Sequence, residues 1–235
     1  MREKLVNLLS LVSAVVGLVA GVKTAVDDAL IGYLMIGAGL ILVAYPVYLW
    51  FRRRPEPYRL RALDHTITID LVDKTGARAI QTRATRFKSL TDGVDTFTDH
   101  MSADGAYENL HVSTGAIEST RREGGDLFIT TRFERVLKKG DEVDRTMSAT
   151  LLDSFVGNPE YWSIRIVVPT DRFTIRVIFP LDRPCQSFQG LQRITSHEKL
   201  SEKQPTRAVI NGRPALEWIV SQPDLKDVYK IVWHW

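Results

Sequence analysis

The chain has 235 residues, 44% of them hydrophobic and 25% charged, with a formal net charge of +3. Arg52, Arg53 and Arg54 account for the whole excess, and residues 55–235 are neutral overall. Binding to long nucleic acid needs a net basic domain or a dense basic stripe, so that class is excluded, whereas a small anion needs only two or three placed arginines. The single cysteine, Cys185, gives no disulfide framework and has no base beside it in the sequence. It reads as an inert thiol in a reducing compartment.

The first elements are apolar. Residues 5–22 and 29–51 are runs of 18 and 23 residues without a charge. A helix rises about 1.5 Å per residue and the hydrocarbon core is about 30 Å thick, so the pattern predicts a transmembrane helical hairpin over residues 1–54. A cleaved signal peptide fits less well, because a second apolar run follows at once. Arg2 and Lys4 before the first run and the three arginines after the second place both termini in the cytoplasm. Ser13, Gly17 and Gly21 recur every four residues, a small-residue face for helix packing in lipid, either within the hairpin or between the subunits of a homo-oligomer. Neither run holds an acidic or basic residue, which argues against a transporter.

From residue 55 the hydrophobic period becomes two, the signature of half-buried strands. Residues 66–71 alternate, and Lys74-Thr75-Gly76 turns them into a second strand near 79–87. Residues 91–109 are ambiguous between strand, helix and lid. Hairpins are expected at residues 138–141, at Pro169-Thr170-Asp171 and at Asn211-Gly212, the last a type I′ signal. A further strand is expected over 191–199, and residues 229–235 close the chain with Tyr229, Ile231, Trp233 and Trp235 on one core-facing side. Trp218 reads as core as well. The expected domain is an all-β antiparallel barrel or sandwich of about eight to ten strands over residues 55–235.

No catalytic set emerges, and an enzyme is not expected. The five histidines show no metal-ligand spacing, and Asp64-His65 and Asp99-His100 read as turn and surface pairs. Arginines on strands are more informative. Arg165 on one strand and Arg176 on the next would share the polar face of one hairpin, with Arg172 at its turn and Trp162 and Tyr161 beside them. Guanidinium groups bind phosphate bidentately and aromatic rings stack on bases, so Arg165, Arg172 and Arg176 are the candidate phosphate contacts. Trp162 and Tyr161 are the candidate stacking residues.

The two apolar runs, the arginine stop after them and the strand-rich remainder ending in Tyr229-Lys-Ile-Val-Trp-His-Trp235 resemble the two-transmembrane β-rich effectors of bacterial cyclic-nucleotide anti-phage systems. That resemblance implies a cytoplasmic sensor for a cyclic dinucleotide or cyclic oligonucleotide made by a partner synthase. It also implies ligand-controlled assembly and disruption of membrane lipid by the hairpin, with no cofactor and no metal. The residues themselves leave a rival open: a tethered β-domain that docks a protein partner and takes no small ligand.

Overall fold

The computed structural model describes residues 58–194 and 197–235. They belong to the second of the two units into which the chain divides, Tyr58–Trp235. The first strands are β1 (Leu60–Leu71), β2 (Arg78–Ser89), β3 (Val94–Ser102), β4 (Ala106–Val112) and β5 (Ala116–Glu123). Then come β6 (Asp126–Leu137), β7 (Glu142–Leu152), β8 (Glu160–Arg165), β9 (Arg172–Ile178) and β10 (Ser187–Ile194). The last four are β11 (His197–Leu200), β12 (Thr206–Ile210), β13 (Arg213–Ser221) and β14 (Val228–His234). They form a seven-stranded sheet in the order β12-β13-β9-β1-β2-β7-β4, a four-stranded sheet β11-β10-β14-β8 and a three-stranded sheet β3-β6-β5.

The expected fold class is corrected on these points. The described residues are all β, and no helix among them is long and apolar enough to cross a membrane. The hairpin expected over 1–54, with Ser13, Gly17 and Gly21, lies outside the described residues. The strands number fourteen rather than eight to ten, in three sheets, and β1 pairs β9 in parallel. The ambiguous stretch 91–109 contains β3 and the start of β4.

Two expected hairpins, β8–β9 and β6–β7, do not form. β9 is buried at Phe173, Thr174, Ile175, Val177 and Ile178, on both of its faces. A strand covered on both faces sits in the middle of a sheet, and β9 lies between β1 and β13 instead of folding back on β8. Likewise β6 pairs with β3 and β5, while β7 pairs with β2 and β4. The Asn211-Gly212 turn does join β12 to β13, with φ of 53° and 75° as a type I′ turn requires.

Two hydrophobic clusters build the core. The larger holds Ile67, Ile129, Met147, Ile175, Trp218 and Trp233 among others. The smaller holds Leu60, Ala62, Phe87, Val94, Phe133 and Leu137. Five strands pass from one cluster to the other, and each carries a polar residue at the crossing. On β1 it is His65, between Ala62 and Ile67, and a bulge between Ala62 and Asp64 restores the inward register. On β2 the inward positions Gln81, Arg83 and Thr85 separate Ala79 from Phe87. On β3, β6 and β7 the crossings are Asp99, Thr131 and Arg145. The domain therefore has a polar layer through its core.

The β1–β2 turn shows how tightly the far end is closed. Asp73 accepts bonds from the backbone N–H groups of Thr75, Ala77 and Arg78. Against the upward push of burial, these and the Thr75 hydroxyl hold its carboxyl below the usual range. Gly76 has φ +75°, and a Cβ there would meet the Phe155 backbone oxygen at 1.8 Å. Gly76→Ala should lower stability by about 2 kcal/mol or more, a loss of roughly 4–8 °C in melting temperature by thermal denaturation. An unchanged melting temperature would contradict this packing.

Candidate anion-binding site

Three ionic side chains occupy the polar layer. Asp99 is 5% exposed, Arg83 7% and Arg145 0%. Arg145 Nη2 lies 2.5 Å from Asp99 Oδ2, and Arg83 Nη1 lies 3.8 Å from Asp99 Oδ1. The Arg145 contact is a charge pair rather than an aligned hydrogen bond, since Asp99 Oδ2 has no hydrogen-bond partner. Arg83 Nη1 also donates to the His100 carbonyl at 2.8 Å. With the Gln81 amide turned to satisfy both groups, its oxygen accepts from Arg83 Nε and Nη2 at 3.0 and 3.1 Å. Arg145 Nη2 donates to Thr131 Oγ1 at 2.7 Å, while Arg145 Nε and Nη1 have no partner among the described residues.

The charge sum decides what this layer can do. Two guanidinium groups face one carboxylate, and arginine stays protonated inside proteins. The layer therefore carries a surplus of one positive charge in a poorly hydrated environment, where an uncompensated charge is costly. Burial pushes the Arg83 pKa down; Asp99 opposes that push and Arg145 adds to it.

His65 completes the layer as a neutral ring. It occupies one transverse row of the seven-stranded sheet with Phe173, Thr85 and Arg145. Its Nδ1 lies 2.6 Å from Thr85 Oγ1, and its ring stacks on Phe173 with centroids 5.5 Å apart. Burial, then Arg83, then Arg145 bring its pKa down to about 3. A third cation does not form beside the two arginines at neutral pH.

This layer is the floor of a cavity of about 570 Å³. Arg83, Asp99, His65 and Thr85 line the bottom. Phe87, Phe97 and Phe128 supply aromatic wall, and His100 stacks on Phe128 at 4.9 Å while holding Asp126 at 2.9 Å. The opposite wall is a continuous stretch, residues 162–168, running along β8. β8 is an edge of its sheet, paired only with β14, so one side of its backbone is free to face the cavity. Arg165 and Arg193 stand at the exposed rim.

The structure brings together two of the five residues singled out in the sequence. Arg165 and Trp162 line the cavity. Tyr161 is half exposed under Lys230 Nζ, 4.7 Å from its ring centroid, and lines a separate cavity of about 90 Å³. Arg176 lies on β9 in the other sheet and pairs with Glu217 at 2.8 Å. Arg172 is exposed at the start of β9, opposite Ser221. The shared face expected for Arg165 and Arg176 is absent because β8 and β9 are not paired.

The pairs Asp64-His65 and Asp99-His100, expected at turns and surface, lie within strands, and His65 and Asp99 are floor residues. Their signal was register: each falls on the inward parity of an apolar strand, as do Arg83 and Arg145. Cys185 is buried, and burial pushes its thiol pKa up.

No protein-family model and no curated protein matches the chain. Among solved structures, a protein from Parabacteroides distasonis named for a protease aligns with 75% of this chain at 8% identity, TM-score 0.49. An M1 zinc metallopeptidase from Deinococcus radiodurans aligns with 74% at 10% identity, TM-score 0.43. The chain spans 40% and 42% of those two proteins. Likenesses this distant carry no argument about activity.

The depressed His65 pKa has a sign. An unfolded histidine binds a proton near pH 6.5 and the folded one only near pH 3, so stability is full above pH 6.5 and falls as pH drops toward 3. Between pH 6 and 5, His65→Gln should flatten the stability–pH slope by up to about 1.4 kcal/mol per pH unit, measured by urea denaturation. Equal slopes for the two proteins would show that His65 titrates normally.

Proposed function

We propose that Tyr58–Trp235 is a binding domain for a small anion with an aromatic body, of the nucleotide class, held in the cavity between β2, β3, β6 and β8. The surplus positive charge on the cavity floor carries this reading: a bound anion supplies the counter-charge that the described residues omit. Its volume falls within the usual range for small-ligand sites, about 300–1,000 Å³. Phe87, Phe97, Phe128 and His100 give a base an aromatic lining, and Arg165 and Arg193 at the rim attract anions from solution. A cyclic dinucleotide or oligonucleotide, the ligand implied by the family resemblance, combines aromatic bases with separate phosphodiesters of one negative charge each, of which one at a time meets the floor.

One observation favours a second reading. The free edge of β8 along the cavity could pair with an extended peptide whose terminal carboxylate reaches Arg83. The protein partner of the rival hypothesis would then enter the same cavity.

A thermal-shift panel separates the two. Cyclic mono- and dinucleotides stand beside a short apolar peptide with a free C-terminus and the same peptide amidated. A ligand at 100 times its Kd adds about 2.7 kcal/mol, or roughly 5–10 °C for a domain this size. We expect a cyclic nucleotide to give such a shift and Arg83→Met to remove it. A shift from the free-acid peptide alone would replace the nucleotide by a peptide. No shift from any nucleotide would overturn the nucleotide reading.

A further inference from the structure

We infer that Asp99 sets the charge of the ligand the cavity accepts, and that the floor takes a monoanion in preference to a dianion. The inference deepens the cavity reading above and rests on it. It concerns charge alone, not the chemical identity of the ligand's body.

Asp99 cancels one of two buried guanidinium charges, Arg83 and Arg145. One positive charge remains. A single negative charge placed on the floor brings the buried sum to zero. A second would leave one unpaired negative charge out of water, beside Asp99, where charge repulsion is strong and poorly screened. A neutral ligand leaves the surplus as it stands.

The other charged groups do not reverse this preference. Arg165 and Arg193 are exposed at the rim, where solvent and salt screen them, so they favour anions of either charge without choosing sharply between them. Asp126 is held by His100 at the mouth. His65 on the floor is neutral. No other charged side chain lines the cavity among the described residues.

Arg145 makes the inference testable without touching a ligand. It pairs with Asp99 from behind and does not line the cavity. Arg145→Met removes one positive charge from the layer while Arg83, the only buried arginine on the cavity surface, stays in place. Asp99→Asn adds one positive charge to the sum. The two substitutions should move ligand preference in opposite directions.

The test uses three small aromatic probes of one body and different charge, titrated calorimetrically into the full-length protein in detergent at pH 8. Benzoate is a monoanion, phenyl phosphate a dianion above its second pKa near 6, and benzamide neutral. We expect benzoate to bind at least about tenfold tighter than either of the others. In Arg145→Met the benzoate advantage over benzamide should collapse toward one. In Asp99→Asn phenyl phosphate should become the tightest of the three.

Should Asp99→Asn fail to fold, the wild-type order and the Arg145→Met collapse still decide. Phenyl phosphate binding as tightly as benzoate in the wild type would overturn the inference, as would an unchanged benzoate preference in Arg145→Met. Benzoate binding with no response to any nucleotide would overturn the nucleotide reading and leave the charge rule standing. No binding by any of the three probes would overturn the charge inference, while the nucleotide reading is decided separately by the thermal-shift panel.

Discussion

Asp99 stands between two buried guanidinium groups, and the domain is arranged around that contact. Its carboxylate comes from β3 in the three-stranded sheet, while Arg83 and Arg145 come from β2 and β7 in the seven-stranded sheet. The contact therefore ties the two sheets together through charge, in addition to the two apolar clusters to which both sheets contribute. Breaking a buried pair on one side costs about 3–5 kcal/mol, because the remaining charge is stranded. Here one charge is stranded already, and the cavity gives it access to an external partner.

The same layer explains why the core is divided. Apolar side chains gather above and below it into two clusters, and five strands cross the layer through a polar residue. Gln81, Thr131 and the His100 carbonyl satisfy part of the arginine donors. Arg145 Nε and Nη1 stay unpartnered among the described residues, which polar groups in a finished hydrophobic core seldom do. The cavity opens at this layer, where His65, Arg83, Thr85 and Asp99 line it between the two apolar clusters.

Part of this was legible in the sequence and part was not. Period-two alternation gave strand character to most of 58–235, and the Asn211-Gly212 pair gave one hairpin down to its turn type. The core role of Trp218 and of Tyr229, Ile231, Trp233 and Trp235 followed from parity, and all five are buried. Pairing partners did not follow. β9 joins β1 in parallel across about a hundred residues of chain, and no local turn signal encodes such a contact. Arg172 and Arg176, arginines on polar strand faces, lie outside the cavity. Arg83 and Arg145 lie instead on the apolar parity of β2 and β7, flanked by Ala79 and Phe87 in one case and Met147 and Ala149 in the other. A charge in an apolar register was the stronger signal, because burial makes it costly unless something answers it.

Among the described residues, nothing neutralises the surplus positive charge of the cavity floor. The most direct measurement is anomalous diffraction from crystals of the protein soaked in sodium bromide, since bromide is a monoanion with no body to be recognised. A surplus positive charge predicts a bromide peak on the cavity floor within hydrogen-bonding reach of the Arg83 guanidinium. Bromide peaks elsewhere on the molecule, with the floor beside Arg83 and Asp99 empty of them, would contradict it.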